Sequence, residues 1–307
     1  MNEYEAVLRP IAGAALHLNA PLARYTVARL GGPADALIIA DSVALLERAA
    51  RTAWLHGWPV RIIGGGANIL VADSGVRGVV ILNRADGVQQ DESGLLIAES
   101  GAALISLARL SLERGLAGLA WAIGIPGTLG GAVVNNAGAY GGEVAQCLLW
   151  AEIAEPEQPT RRWTCAELAY AYRESALKRR QAPFAVLRAA LQLQPKADPV
   201  ALRAEAEQYS AHRRRTQPNG ASLGSMFKNP PNDYAGRLIE AAGLKGARVG
   251  GVIISPQHAN WFINTGNGTA ADYLALIRLA QRRVFEQFGV QLELEVELIG
   301  DFEHVER

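Results

Sequence analysis

Two cysteines, Cys147 and Cys165, are all that the 307 residues contain, and they form no CxxC. Neither a disulfide framework nor a thiolate zinc site is supported by that usage. The five histidines, His17, His56, His212, His258 and His304, lack ligand spacing, so no metal is expected. An excess of one charge is missing too. Lys plus Arg balance Asp plus Glu at 30 each, so no global field draws the chain to nucleic acid or an anionic membrane. The one basic run, His212–Arg215, falls at a predicted helix C-terminus, where cations complement the dipole. No stretch approaches the roughly 18 uninterrupted apolar residues of a spanning helix. The N-terminal MNEYEAVLRP carries charges where a signal peptide needs its apolar core. A cytoplasmic protein without membrane insertion is the expectation. There is no internal repeat and no low-complexity segment.

What the chain does have is hydrophobic residue, at 50%, and glycine, at 32 positions. The first is ample for a core, and the length favours two or three domains. The second is concentrated. Gly124–Gly142, GIPGTLGGAVVNNAGAYGG, holds seven glycines, a density that costs backbone entropy unless the chain must turn sharply or approach something closely. It reads as a backbone cradle, suited to a pyrophosphate and a flat ring, and hence to a dinucleotide.

Two further glycine turns precede it. Gly31-Gly32-Pro33 leads into an apolar strand, Ala36–Ala40. Val60–Ile63 is a second strand running straight into Gly64-Gly65-Gly66-Ala67-Asn68. That order invites the Rossmann reading, which fails: a Rossmann turn opens into a helix, whereas Ile69–Ala72 is another short apolar run. The Walker motif is absent as well, because no Gly-Lys-Ser/Thr follows any of these glycines.

The remaining pattern predicts helices from Ser42 to His56 and from Ala103 to Gly115, and strands at Val79–Leu82, Leu95–Glu99, Leu148–Ala154 and Phe184–Leu193. Asp198-Pro199 supplies an N-cap and first-turn proline for a helix to about Arg215. Beyond it come the helix Tyr234–Ala242, the strands Val249–Ile254 and Trp261–Asn264, and a helix to about Phe288 opened by a Thr269/Asp272 capping box. Val290–Ile299, alternating acid and aliphatic from Leu292 to Leu298, predicts a final strand. Outside this scaffold stand Tyr172-Arg173, Ser225 with Lys228 and Asn229, and Glu295. Each has a bland reading: a surface ion pair, a turn hydroxyl, a solvated strand edge.

In combination they are more telling. The segments RLGGPAD (29–35), GGGANILVADSGVRGVVI (64–81), GIPGTLGGAVVNNAGAYGGE (124–143), YAYRES (170–175), GSMFKNP (224–230), IISPQHANWFIN (253–264) and LELEVELIG (292–300) resemble, in order, those of the UDP-N-acetylenolpyruvoylglucosamine reductases of bacterial cell-wall synthesis, the MurB family. The resemblance covers nearly the whole chain. It implies an α+β protein whose FAD-binding fold is like that of the vanillyl-alcohol-oxidase/PCMH-type flavoproteins. Two FAD-binding subdomains, 1–83 and 84–197, would be followed by an α+β substrate-binding domain, 198–307, whose last strand returns to the active site.

The implied activity is FAD-mediated reduction of UDP-N-acetylglucosamine enolpyruvate to UDP-N-acetylmuramate, with NADPH as hydride donor. Residue by residue, the implied cofactor-binding positions are Gly31, Gly64, Gly65, Gly66, Ala67, Asn68, Ile69, Gly124, Ile125, Pro126, Gly127, Thr128, Gly130, Gly131, Ala137, Gly138 and Gly141. Ser225 corresponds to the proton donor, and Arg173 and Glu295 to the pair that polarises the enolpyruvyl group. Tyr172, Lys228 and Asn229 fall on the substrate side. The implied partners are the sugar nucleotide and NADPH, with the chain a monomer or weak homo-oligomer. Glu297 stands where the family usually carries a basic residue, and no tyrosine-bearing insertion extends the third domain, which marks the compact subclass. A flavin oxidase of the same fold passing electrons to oxygen, and a non-catalytic flavin or sugar-nucleotide sensor, are the alternative readings.

Overall fold

The computed structural model describes residues 2–302. They divide into two compact units. The first comprises the residues up to Leu18, Asp35–Gly65 and Gly78–His212; the second comprises Asn19–Ala34, Gly66–Arg77 and the chain from Arg213 onward.

Two sheets form the framework of the first unit. One has four strands in the order Leu16–Pro21, Pro33–Ala40, Val76–Asn83, Val60–Ile63. Its last pair is parallel, with Val60 opposite Val79 and Ile63 opposite Leu82. The helix Val43–Leu55 starts where the sequence places it, Ser42 Oγ accepting from Leu45 N at 3.4 Å. Its Leu46, Ala49 and Ala53, on one face at helical spacing, bury against Ile38, Val79 and Ile81.

The other sheet is antiparallel, in the order Gln158–Thr164, Leu148–Glu155, Ala185–Gln192, Leu95–Glu99, Val88–Gln90. Ala151, Ala189 and Ala98 lie side by side across its centre. These small side chains leave room for the helix Leu129–Asn135, which packs on the strand Ala185–Gln192. That helix lies inside Gly124–Gly142, which is therefore not all irregular cradle. Gly130 and Gly131 are poor helix formers; burial of Leu129 and Val133, one turn apart and both 0% exposed, overrides their propensity. Gln158–Thr164 was not expected as a strand, because only Trp163 in it is buried. It is an edge strand, where Pro159 is tolerated, and Arg161 and Arg162 cover the rings of Trp163 and Trp150 at 4.5 and 4.0 Å.

The second unit is built on an antiparallel sheet in the order Ala221–Ser225, Trp261–Asn264, Val252–Ile254, Arg248–Val249. The predicted single strand Val249–Ile254 is thus a hairpin. Gly250, at φ 49°, and Gly251 make its turn, and a Cβ on Gly251 would overlap the backbone at 267–268. Phe227, Leu238, Phe262, Tyr273 and Ile277 form the core between the sheet and the helices Ala235–Ala241 and Ala270–Phe288. The phenol of buried Tyr273 donates to Phe262 O at 2.8 Å. The Thr269/Asp272 capping box is present as expected. Asp73 reinforces it from a distant segment, its two carboxylate oxygens accepting from Ala270 N and Ala271 N, each at 2.9 Å.

The terminal alternating segment departs from expectation. Only Glu297–Ile299 is a strand, pairing in parallel with Ile69–Val71. The alternation holds only in part: Leu292 and Val296 are buried and Glu293 and Glu297 exposed, while Leu294 and Leu298 are half-buried and Ile299 is buried out of phase. Regular pairing fails because the segment changes partner: Glu295 N donates to Met226 O at 2.9 Å, and Glu297 N donates to Asn68 O at 3.0 Å. Among the described residues no helix is long and apolar enough to cross a membrane.

Asp73→Ala removes the acceptors for two helix N–H groups. It is expected to lower the unfolding free energy by about 1–2 kcal/mol in urea titration; an unchanged midpoint would show that the local capping box suffices.

Candidate active site

The glycine turns are explained first by what touches them. In the first unit, a Cβ on Gly64 would overlap Thr128 Oγ1, and one on Gly65 would lie 2.9 Å from Gly127 Cα. Two glycine turns, Gly64-Gly65 and Gly127-Thr128, therefore meet backbone to backbone. Gly31 and Gly32, in the second unit, have a similar cause: a Cβ on Gly31 would sit 2.8 Å from Val71 Cβ, and one on Gly32 would overlap Asp73 O. What these two glycines hold is the 71–73 backbone.

Gly131 is different. It is helical, and the nearest heavy atom to its missing Cβ is Thr128 Oγ1 at 3.9 Å. A Cβ at Gly127 or Gly141 would likewise face open space. Protein packing gives no reason for glycine at 131, and the open face leaves room for a ligand against the main chain. A cradle of this kind fits the flat, phosphate-bearing cofactor that the sequence calls for.

Arg173 is built into the same unit. Ala171 and Glu174 exchange N–H···O bonds at 3.1 Å, so Tyr172-Arg173 is the centre of a tight turn. Arg173 takes the left-handed conformation there, φ 57°, an uncommon one for a residue with a side chain. Around it, YAYRES closes the C-terminal end of the helix Leu129–Asn135, whose last carbonyls have no intrahelical donors. Tyr170 Oη donates to Val133 O at 2.9 Å, Ser175 Oγ to Val134 O at 2.6 Å, and Arg173 Nη2 to Gly138 O at 2.7 Å. Asn136, fully buried, completes the arrangement by donating to Ala171 O at 3.1 Å and accepting from Ala145 N at 3.0 Å. Sequence reasoning passed over Asn136, whose signal was a polar residue embedded among glycines and alanines. The Tyr172 ring, 49% exposed, lies 5.2 Å from the Arg173 guanidinium carbon.

The second unit brings together Ser225, Lys228 and Glu295. Ser225 ends the strand Ala221–Ser225 at an irregularity in its pairing with Trp261–Asn264. The next residues run antiparallel to 293–295: Phe227 bridges Leu294, Lys228 N donates to Glu293 O at 2.9 Å, and Lys228 Nζ lies 3.3 Å from Glu293 Oε2. Glu295 is half-buried at the point where the segment changes partner, so the solvated-edge reading of this carboxylate does not hold. Asn68 Nδ2 donates to Glu295 O at 3.0 Å. Asn229 Oδ1 accepts from Ala235 N at 3.1 Å, which places its amide at a helix start.

Asn260, 3% exposed, holds the Ser225 motif from behind: it accepts from Phe227 N at 2.9 Å, donates to Phe227 O at 2.8 Å, and accepts from Met226 N through its own carbonyl at 2.8 Å. Its backbone N–H in turn donates to His258 Nδ1 at 3.3 Å. Burial pushes the His258 imidazole below its ordinary pKa, which favours the neutral ring, the form that can accept this bond. Among the described residues no cluster of His, Cys, Asp or Glu could hold a metal; His304 lies outside them.

Two family models match the chain. Residues 34–158 match an FAD binding domain, and residues 217–299 match the UDP-N-acetylenolpyruvoylglucosamine reductase, C-terminal domain. A UDP-N-acetylenolpyruvoylglucosamine reductase of Rubrobacter xylanophilus is 47% identical over 94% of this chain and 96% of its own length. One from Chloroflexus aggregans is 46% identical over 92% and 97%. The crystal structure of the Thermus caldophilus reductase is 34% identical, covers 93% of this chain and 98% of its own, and superposes with a TM-score of 0.78.

Gly131→Ala is expected to leave stability unchanged or raise it by about 0.5–1 kcal/mol, while weakening FAD binding roughly tenfold in a fluorescence titration. Gly64→Ala should instead destabilise the fold, since its Cβ meets Thr128. His258 yields a pH expectation. With its folded pKa below the unfolded value near 6.5, the unfolded chain binds the extra proton, so stability falls as pH drops from about 6.5 through the folded pKa. His258→Gln should flatten that slope in urea midpoints taken between about pH 7 and pH 5.

Proposed function

This chain belongs to the UDP-N-acetylenolpyruvoylglucosamine reductase family, and on that premise we propose which of its residues carry the reaction. It is an FAD-dependent oxidoreductase of peptidoglycan precursor synthesis, reducing UDP-N-acetylglucosamine enolpyruvate to UDP-N-acetylmuramate with NADPH as hydride donor. Its fold is the α+β FAD-binding type of the vanillyl-alcohol-oxidase/PCMH flavoproteins. We assign residues 1–83 and 84–197 to the cofactor and residues from 198 onward to the substrate.

FAD, when bound, supplies the carrier that accepts a hydride from NADPH and delivers it to the enolpyruvyl double bond. Gly64, Gly65, Gly127, Thr128 and Gly131 are the residues we assign to hold it, because Gly127 and Gly131 face open space where a Cβ would stand and Gly64 and Gly65 pack directly against Gly127-Thr128. Hydride addition to the terminal carbon leaves negative charge that spreads into the substrate carboxylate. Arg173 supplies an always-charged planar fork to stabilise it, an interaction stronger in the transition state than in the ground state. Its turn and its bond to Gly138 O fix its direction before substrate arrives.

Ser225 Oγ donates the proton that the adjacent carbon must take up. Glu295 hydrogen-bonds the substrate carboxyl as its charge changes. Tyr172, Lys228 and Asn229 are assigned to the sugar nucleotide. The observation that carries this reading is the pairing of 226–228 with 293–295, which holds Ser225 and Glu295 in one rigid ribbon although they stand far apart in sequence.

The purified protein is expected to be yellow and to bleach on anaerobic addition of NADPH. Ser225→Ala should spare that bleaching and slow reoxidation by the enolpyruvyl sugar by about 10²–10⁴-fold. Reoxidation at the unsubstituted rate would sink the assignment, and peroxide formation indifferent to the sugar would favour an oxidase.

A further inference from the structure

We propose that Asn68 is a positioning residue for Glu295: its side chain transmits the conformation of the Gly66–Asn68 loop to the carboxylate that acts on substrate. The proposal rests on the assignment of Glu295 to the reaction. Three observations carry it, all within the second unit.

The first is the bond itself. Asn68 Nδ2 donates to Glu295 O at 3.0 Å across 227 positions of sequence. The second is what else holds Glu295. Its N–H donates to Met226 O at 2.9 Å. The two peptide groups flanking its Cα are therefore each fixed by one hydrogen bond, and the Cα–Cβ direction is fixed with them. Remove the Asn68 donor and the carbonyl of Glu295 loses its restraint where the ladder changes partner, the position least supported by regular pairing.

The third is how Asn68 is held. Its carbonyl accepts from Glu297 N at 3.0 Å, and Ile69 begins the parallel pairing with Glu297. On the other side Gly66, at φ 63°, lies so close to Tyr25 O that a Cβ would overlap it, and Gly66 O accepts from Val27 N at 2.9 Å. The loop is thus clamped at both ends, and the one side chain that leaves it for the 293–297 segment is Asn68. Order imposed on this backbone by a bound cofactor reaches the Glu295 carbonyl through the Asn68 carboxamide and Glu297 through the loop backbone. Alanine cannot span that gap. Aspartate keeps the shape and replaces the donor by an oxygen facing a carbonyl.

The test compares holoproteins carrying Asn68→Ala, Asn68→Asp, Glu295→Gln and the Asn68→Ala/Glu295→Gln pair. Each holoprotein is assayed with FAD saturating, so that any loss of cofactor affinity at position 68 is separated from the rate at which the NADPH-reduced flavin is reoxidised. Reoxidation by the enolpyruvyl sugar should slow roughly tenfold, the worth of one hydrogen bond. Amide exchange across 293–297 should accelerate to a similar degree, with the helix Ala270–Phe288 unchanged as the internal control for folding. The double variant should reoxidise no more slowly than Glu295→Gln alone, because the two changes act through one group. Additive losses, an effect confined to FAD affinity, or unaltered exchange at 293–297 would overturn the proposal. Should Asn68→Ala fail to fold, Asn68→Asp carries the same comparison. If Glu295→Gln itself reoxidises normally, the assignment of Glu295 fails instead, a result distinct from normal Asn68 variants beside an impaired Glu295→Gln.

Discussion

The second unit depends on one exchange of hydrogen bonds. Residues 293–295 pair with 226–228, and two residues later the same chain pairs with 68–71. Neither pairing is long enough to stand alone as a sheet. Together they bring a chain terminus, the Ser225 motif and a glycine loop into one ribbon, with Glu295 where the partners change. A continuous strand would have paired Glu295 on both sides in regular alternation and left it no special position. The break in the ladder sets Glu295 apart in backbone pairing from the exposed Glu293 and Glu297 on either side.

A related economy governs the first unit. The helix Leu129–Asn135 is short, carries two glycines, and ends in carbonyls that need donors. Tyr170 and Ser175 supply them from 37 and 41 residues downstream, and Arg173 donates to Gly138 O just beyond the helix. The YAYRES motif thus finishes this helix and holds the backbone just past it, and the left-handed backbone of Arg173 is the local cost of placing it at the turn.

The sequence was most informative where structure is local. Ser42, the Thr269/Asp272 box and the rejection of a Rossmann helix after Gly66 are matters of neighbouring residues, and each is found as read. It was least informative where a residue's partner lies far along the chain. The alternation of Leu292–Leu298 predicts a strand, but periodicity reports which side is buried and is silent about which segment bonds the backbone. The helix within the glycine stretch escaped because its stability comes from the alanine row beneath it. Asn136 and Asn260 escaped for a similar reason: a buried amide is informative only once its four partners are known. The long family motifs were legible as a resemblance, whereas the geometry that joins Ser225 to Glu295 was not.

The order in which this protein can be made follows from the composition of its second unit. Residues 19–34 and 66–77 are early segments whose partners come from the chain after Arg213. The strand Ile69–Val71 has to wait for Glu297–Ile299, almost the last described residues, before its ladder can close. Contacts so distant in sequence form slowly, because the loop entropy is spent before the bonds return it. A ribosome must therefore deliver residues 297–299 before the Gly66–Asn68 loop acquires its final shape. A nascent chain stalled before Glu297 leaves that loop without the strand that closes its ladder.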